Sequence, residues 1–235
     1  MRMLYLSRRA LRLAGIYAAA VALLLAGAGL FLPVSQEVLA EPYRSGPAES
    51  SMVSLAVNVD WGGEYIPQML EILDEYGVKA TFFLTGRWTD SEPKLAKAIL
   101  EAGHEIGNHG YSHTSPNASS VEEIVHEIER TAQSIKEATG ADTRLYAPPS
   151  GESEAHVVQA AEQAGHYTTL WSIDTIDWQR PEPEVIVERV VSKIHGGAII
   201  LAHPMDTTLV ALPQIIEQLQ AKGYHFVTVS ENLGL

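Results

Sequence analysis

Two histidines separated by three residues, His109 and His113 in Gly107-Asn108-His109-Gly110-Tyr111-Ser112-His113, carry the most chemically suggestive spacing in the chain. On one turn of helix, positions i and i+4 share a face, so this spacing predicts two imidazoles aimed at a single ion. Neutral imidazole suits zinc and its first-row neighbours, but a hydrolytic centre also needs a third protein ligand and a position open to water. Two histidines alone do not make that centre. The remaining donors must come from elsewhere in the chain. Asp60, Asp174, Asp177 and His203 each stand where an apolar run ends.

Composition narrows what can surround these residues. With 235 residues the chain is long enough for one large domain. It contains no cysteine, so any metal must be held by nitrogen and oxygen. Arg8, Arg9 and Arg12 precede an uncharged apolar run from Leu13 to Leu32, closed by Pro33. About twenty such residues match a bilayer core, and arginines before them favour a cytoplasmic tail. The sequence Val38-Leu39-Ala40 offers a competing cleavage site for a signal peptide. Both readings treat residues 1–40 as targeting, with the rest exported. Four of the 16 basic and one of the 29 acidic residues fall in that segment, leaving the remainder strongly acidic. That balance argues against nucleic acid and anionic membrane surfaces as partners. The membrane is expected as a partner only through the N-terminal segment. Residues 41–51 are rich in proline, glycine and serine and read as a short linker to a domain spanning 52–235.

From Met52 onward, strand-like and helix-like stretches alternate. Strands are expected at 53–60, 79–85, just before His109, and at 144–147, 166–173, 198–203 and 224–229. Helices are expected at 67–76, 91–102, from Ser120 to Gly140 behind the capping box Ser120-x-x-Glu123, and at 153–164, 183–194 and 208–222. Seven strands alternating with helices predict a mostly parallel sheet covered by helices. No glycine-rich phosphate loop follows any strand, which disfavours an open nucleotide-binding sheet. In a barrel, residues at the C-terminal strand ends share one mouth. Asp60, His109, Pro148, Asp174 or Asp177, and His203 occupy such ends.

Four stretches in this order resemble the polysaccharide deacetylase family: Asn108-His109-x-x-x-His113, Pro148-Pro149-Ser150-Gly151, Trp171-x-x-Asp174-x-x-Asp177-Trp178 and Ile200-Leu201-Ala202-His203. The resemblance covers about residues 52–235. It implies a distorted (β/α) barrel and metal-dependent removal of acetyl groups from N-acetylglucosamine or N-acetylmuramic acid units of cell-wall or chitin-type glycan. It also implies roles. His109 and His113 would hold a divalent ion, zinc first and cobalt, nickel or manganese as substitutes. Asp60 would be the base, His203 the acid that protonates the leaving amine, and Asp177 the carboxylate that orients His203. Trp178 would wall the acetyl pocket, with Pro149 and Ser150 beside the substrate.

The chain also departs from the family pattern. The first motif is ordinarily two aspartates and a glycine, base then metal ligand. Here Asn58-Val59-Asp60-Trp61-Gly62 allows two registers. In one, Trp61 replaces the metal carboxylate. In the other, Asn58 and Val59 replace base and ligand. Glu64 is a candidate for the missing oxygen. The third motif's arginine falls at Ala147 and its aromatic at Ser150, and Arg144 is a candidate replacement for the guanidinium. Three functions therefore stay open: a glycan deacetylase, a barrel that binds glycan or an envelope partner without turnover, and a hydrolase of another amide or ester using Glu64.

Overall fold

The computed structural model describes residues 41–235. The expected anchor or leader, residues 1–40, lies outside the described residues. Strand β1 (Met52–Val59) is the centre of the sheet and is buried on both faces beyond Met52. Its alternation sorts two environments. Val53, Leu55, Val57 and Val59 face the main core beneath the helices, while Ala56 belongs to a separate inner cluster with Phe83, Leu145, Ala147 and Ile199.

Parallel partners flank β1: β2 (Thr81–Leu84) on one side, in the register Ala56↔Thr81, and β7 (Ile199–Ala202) on the other, in the register Val57↔Ala202. Outward from β2 come β3 (Glu105–Asn108), β4 (Leu145–Tyr146) and β5 (Tyr167–Thr168), and outward from β7 comes β6 (Ile173–Asp174). The stretch 166–173, expected as one strand, is two. Leu170 to Ser172 carry the chain from the β4 edge to the β7 edge, so β5 and β6 lie on opposite ends of the arc. A distorted, incompletely closed parallel barrel results, with eight short strands among the described residues where seven were expected.

Helices α1 (Ile66–Glu75), α2 (Gly86–Ser91), α3 (Pro93–Glu101), α4 (Val121–Thr139), α5 (Ala155–Gln163), α6 (Pro183–Lys193) and α7 (Asp206–Ala221) supply the outer layer. The expected helix at 91–102 begins only at Pro93, because proline favours a first helical position and Glu92 before it leaves helical geometry. Ser120 and Glu123 form the expected capping box on α4. The last expected strand, 224–229, shortens to β8 (His225–Phe226), which pairs with the start of β1. A second capping box, Thr228 with Glu231, then opens α8 (Val229–Leu233). Val229 on α8 is fully buried against the inner cluster and stops that end of the barrel.

Residues 41–51, expected as a linker, are tied to the barrel. The Tyr43 N–H donates to the Thr168 carbonyl (2.9 Å), Leu170 N–H to the Tyr43 carbonyl (2.7 Å), and Gly46 N–H to the Gly197 carbonyl (2.8 Å). The segment thereby spans between the β5 side and the β7 side.

Candidate functional site

His109 follows β3 directly, its backbone N–H bonded to the Leu84 carbonyl at the end of β2 (2.9 Å). Its ring is buried, with Nδ1 2.6 Å from the Ala147 carbonyl. A carbonyl only accepts, so Nδ1 carries the proton and the Nε2 lone pair is free. Burial pushes the ring's pKa down to about 3, leaving it neutral. His113 is brought beside it, ring centroids 5.0 Å apart at 76°.

The pairing does not arise on a helical turn as the spacing predicts. Residues 109–115 form a loop in which Gly110 and His113 both have positive φ (73° and 55°). Glu127 on α4 shapes this loop: its carboxylate accepts from the backbone N–H of Tyr111 (3.0 Å) and Ser112 (2.7 Å) and from the Ser112 hydroxyl (3.0 Å). Two backbone donors on one carboxylate bend the chain so that His113 folds back over His109. Nothing in the local sequence pairs Glu127 with a loop fifteen residues away, so the sequence reading missed it.

Asp60 leaves the end of β1 and points into the same mouth. Its Oδ1 accepts from the Thr85 hydroxyl (2.8 Å) and from Arg87 Nε (2.7 Å), while Arg87 Nη2 bonds Oδ2. Burial opposes ionisation, but the Arg87 fork and the Thr85 hydroxyl outweigh it and hold the carboxyl below its ordinary value. The guanidinium missing at Ala147 is thus supplied from α2. Arg144 does not take that part. Its guanidinium lies over the Tyr167 ring, 5.6 Å from the centroid.

Opposite, Asp177 is fully buried behind His203. Its Oδ1 lies 2.7 Å from His203 Nδ1, and its Oδ2 accepts from the His203 backbone N–H and the Thr208 hydroxyl, both at 2.7 Å. Burial again opposes ionisation of Asp177, and the His203 and Thr208 hydrogen bonds prevail, lowering its pKa. One face of the His203 ring is covered by Trp61, stacked at 5.8 Å and 9°.

These groups line one cavity of about 400 Å³. Asp60, His109, His113 and His203 form its polar wall; Trp61, Trp171 and Trp178 form its aromatic wall; Asn58, Ser150, Asp174 and Leu201 complete it. Trp171 and Asn58 were not singled out as site residues from sequence. The structure also separates the two possible motif registers, since Val59 is fully buried in the outer core whereas Asp60 and Trp61 both reach the cavity. Two expected contributors lie elsewhere. Pro149 is buried beside a smaller neighbouring void with Tyr146 and Gly110, leaving only Ser150 of that motif, at φ 57°, on the main cavity. Glu64 lies on an exposed turn and lines a surface depression with Trp88 and Leu95, on the other side of Trp61. It cannot supply the missing carboxylate from there.

The donor set decides what metal chemistry the cavity supports. His109 Nε2 and His113 offer two nitrogens. Trp61 occupies the expected third position, and an indole N–H donates but has no lone pair to give. Both oxygens of Asp60 are engaged by Arg87 and Thr85. Among the described residues no three His, Asp or Glu side chains group as a metal-holding set. The arrangement does not fit a three-ligand catalytic centre.

The polysaccharide deacetylase model matches residues 45–169. The chain is 43% identical over 191 residues to the uncharacterized protein YlxY of Bacillus subtilis, covering 81% of this chain and 60% of that one. It is 37% identical over 187 residues to a peptidoglycan-N-acetylglucosamine deacetylase of Bacillus cereus, covering 76% and 87%. Among solved structures, BA3943 of Bacillus anthracis, described as a CE4 family pseudoenzyme, superposes with a TM-score of 0.80 at 43% identity, covering 81% of this chain and 68% of that one. Fold, motif order and family match agree: the chain belongs to the polysaccharide deacetylase family.

Proposed function

We propose that this chain binds the N-acetylated sugars of a cell-wall-type glycan in the aromatic cavity and does not turn them over through a metal. One observation carries the reading. The cavity keeps its indole walls while the position of the third metal ligand holds Trp61 and Asp60 is clamped by Arg87. A concave site of this size, apolar with a few converging polar groups, suits a small polar ring ligand. Trp178 is 55% exposed, so its ring is open to stack on the C–H face of a sugar. The similarity to a protein described as a pseudoenzyme and to a peptidoglycan-N-acetylglucosamine deacetylase supports both halves of the proposal. A glycan of the wall also places the domain outside the cytoplasmic membrane, with residues 1–40 as its route there.

The Asp177–His203 pair retains the acid arm of an acetamide hydrolysis, so turnover is measured alongside binding. Titrating the purified protein with N-acetylglucosamine oligomers should give a saturable change in tryptophan fluorescence. Acetate release should stay at the protein-free rate with or without added zinc, and metal content should be well below one per chain. Acetate above that rate would restore the deacetylase reading. A flat fluorescence titration would remove the binding reading.

A further inference from the structure

We infer that Asn58 reads the acetamido group of the bound sugar. This rests on the glycan-binding reading and names the atoms that would confer its selectivity. Asn58 is the last inward-facing residue of β1 before Asp60, 6% exposed, on the cavity wall. Its inward neighbour on the strand is Ala56, and Leu201, paired with Ala56 across β7, lines the cavity too. The Oδ1 of Asn58 is buried and has no hydrogen-bond partner among the described residues.

That condition is unusual, because buried amide groups are nearly always paired and an unpaired one is costly. Several neighbouring polar atoms are committed: Asp60 to Arg87 and Thr85, His109 Nδ1 to Ala147, His203 Nδ1 to Asp177. Beside the free Nε2 of His109, Asn58 is the one carboxamide among the described residues that line the cavity, and it is left for a ligand. A carboxamide is complementary to an acetamide: once the side chain turns its buried Oδ1 to the cavity, that oxygen accepts from the sugar's N–H while Nδ2 donates to the acetyl carbonyl. A free amino sugar offers no carbonyl, and its ammonium would enter beside buried histidines. A site built to hydrogen-bond a group rejects the analogue that lacks it, since its own polar atoms are then stranded.

Calorimetry of the purified protein with the N-acetylglucosamine trimer and the glucosamine trimer tests this. The unaltered protein should prefer the acetylated trimer by about tenfold or more. Asn58→Leu should bring that ratio close to one, with a thermal midpoint equal to or above that of the unaltered protein because a stranded amide is gone. Asn58→Asp, which keeps an acceptor and loses the donor, should also lower the ratio, and it carries the test if the leucine variant does not fold. An unchanged ratio in a folded variant overturns the inference and assigns the Oδ1 to an ordered water. Equal binding of both trimers by the unaltered protein overturns it as well, leaving the glycan-binding reading intact. Binding of neither trimer removes that reading itself.

Discussion

Arg87 shows how one side chain can change what a site does. Its fork takes both oxygens of Asp60, so the carboxylate is ionised yet occupied. Replacing Arg87 by alanine should raise the Asp60 pKa, since burial then acts with only Thr85 and the nearby His113 opposing it. A carbon-detected titration of the aspartate carboxyls checks this, and an unmoved Asp60 would refute the clamp. Because Arg87 is about half exposed, its loss should cost less than about 1 kcal/mol of stability. Asp177 is the contrasting case. Asp177→Ala strands the His203 N–H, the His203 ring and the Thr208 hydroxyl around a fully buried position. Leaving buried donors unsatisfied in this way costs about 1–3 kcal/mol each, readable in denaturant unfolding.

At the scale of elements, the site depends on loops held from a distance. Glu127→Ala releases the Tyr111 and Ser112 amides, so their hydrogen exchange should quicken more than tenfold while α4 itself stays protected. Unchanged exchange at both amides would show that Gly110 and His113 hold the turn unaided. The loop after β1 has a similar constraint. Gly62 has φ +79°, and a Cβ there would lie 2.3 Å from the Pro204 carbonyl oxygen beside His203. Gly62→Ala should therefore destabilise by about 1–3 kcal/mol and separate Trp61 from His203. A thermal midpoint within 1–2 °C of the unaltered protein, roughly a fraction of a kcal/mol for a domain of this size, would count against that packing.

Across the whole molecule, buried neutral histidines set the acid limit. His104 accepts from the Ala80 backbone N–H through Nδ1 (3.2 Å), and burial pushes its pKa from 6.5 down to about 4. The unfolded chain therefore takes up a proton near pH 6.5 that the folded chain refuses. Stability should be level above about pH 7 and fall as the pH drops from about 6.5 towards 4, with His104 alone contributing on the order of 3 kcal/mol. His166, also lowered by burial, acts in the same direction. Asp177, lowered by its partners, adds a further loss below about its ordinary 3.8. His104→Leu should flatten the upper part of that curve, and an unaltered slope between pH 6.5 and 4 would contradict it.

Much of the architecture was written in local pattern. The alternation of β1, the capping box of α4 and the order of apolar runs are short-range consequences of side-chain period and backbone pairing, so the parallel barrel and the strand-end positions of Asp60, His109 and His203 could be read directly. The box at Thr228 and Glu231 was equally legible and marks α8, whose first residue, Val229, falls in the strand expected over 224–229. What only the fold decided were pairings between residues distant in sequence. Arg87 meets Asp60 because β1 and β2 are neighbours, Glu127 bends the loop of His113 because α4 packs against it, and Glu64 turns away because the chain after Gly62 wraps to the outside of Trp61. Spacing along the chain can nominate donors for an ion. Whether they converge, and whether a cation has already claimed them, depends on distances that exist only after folding.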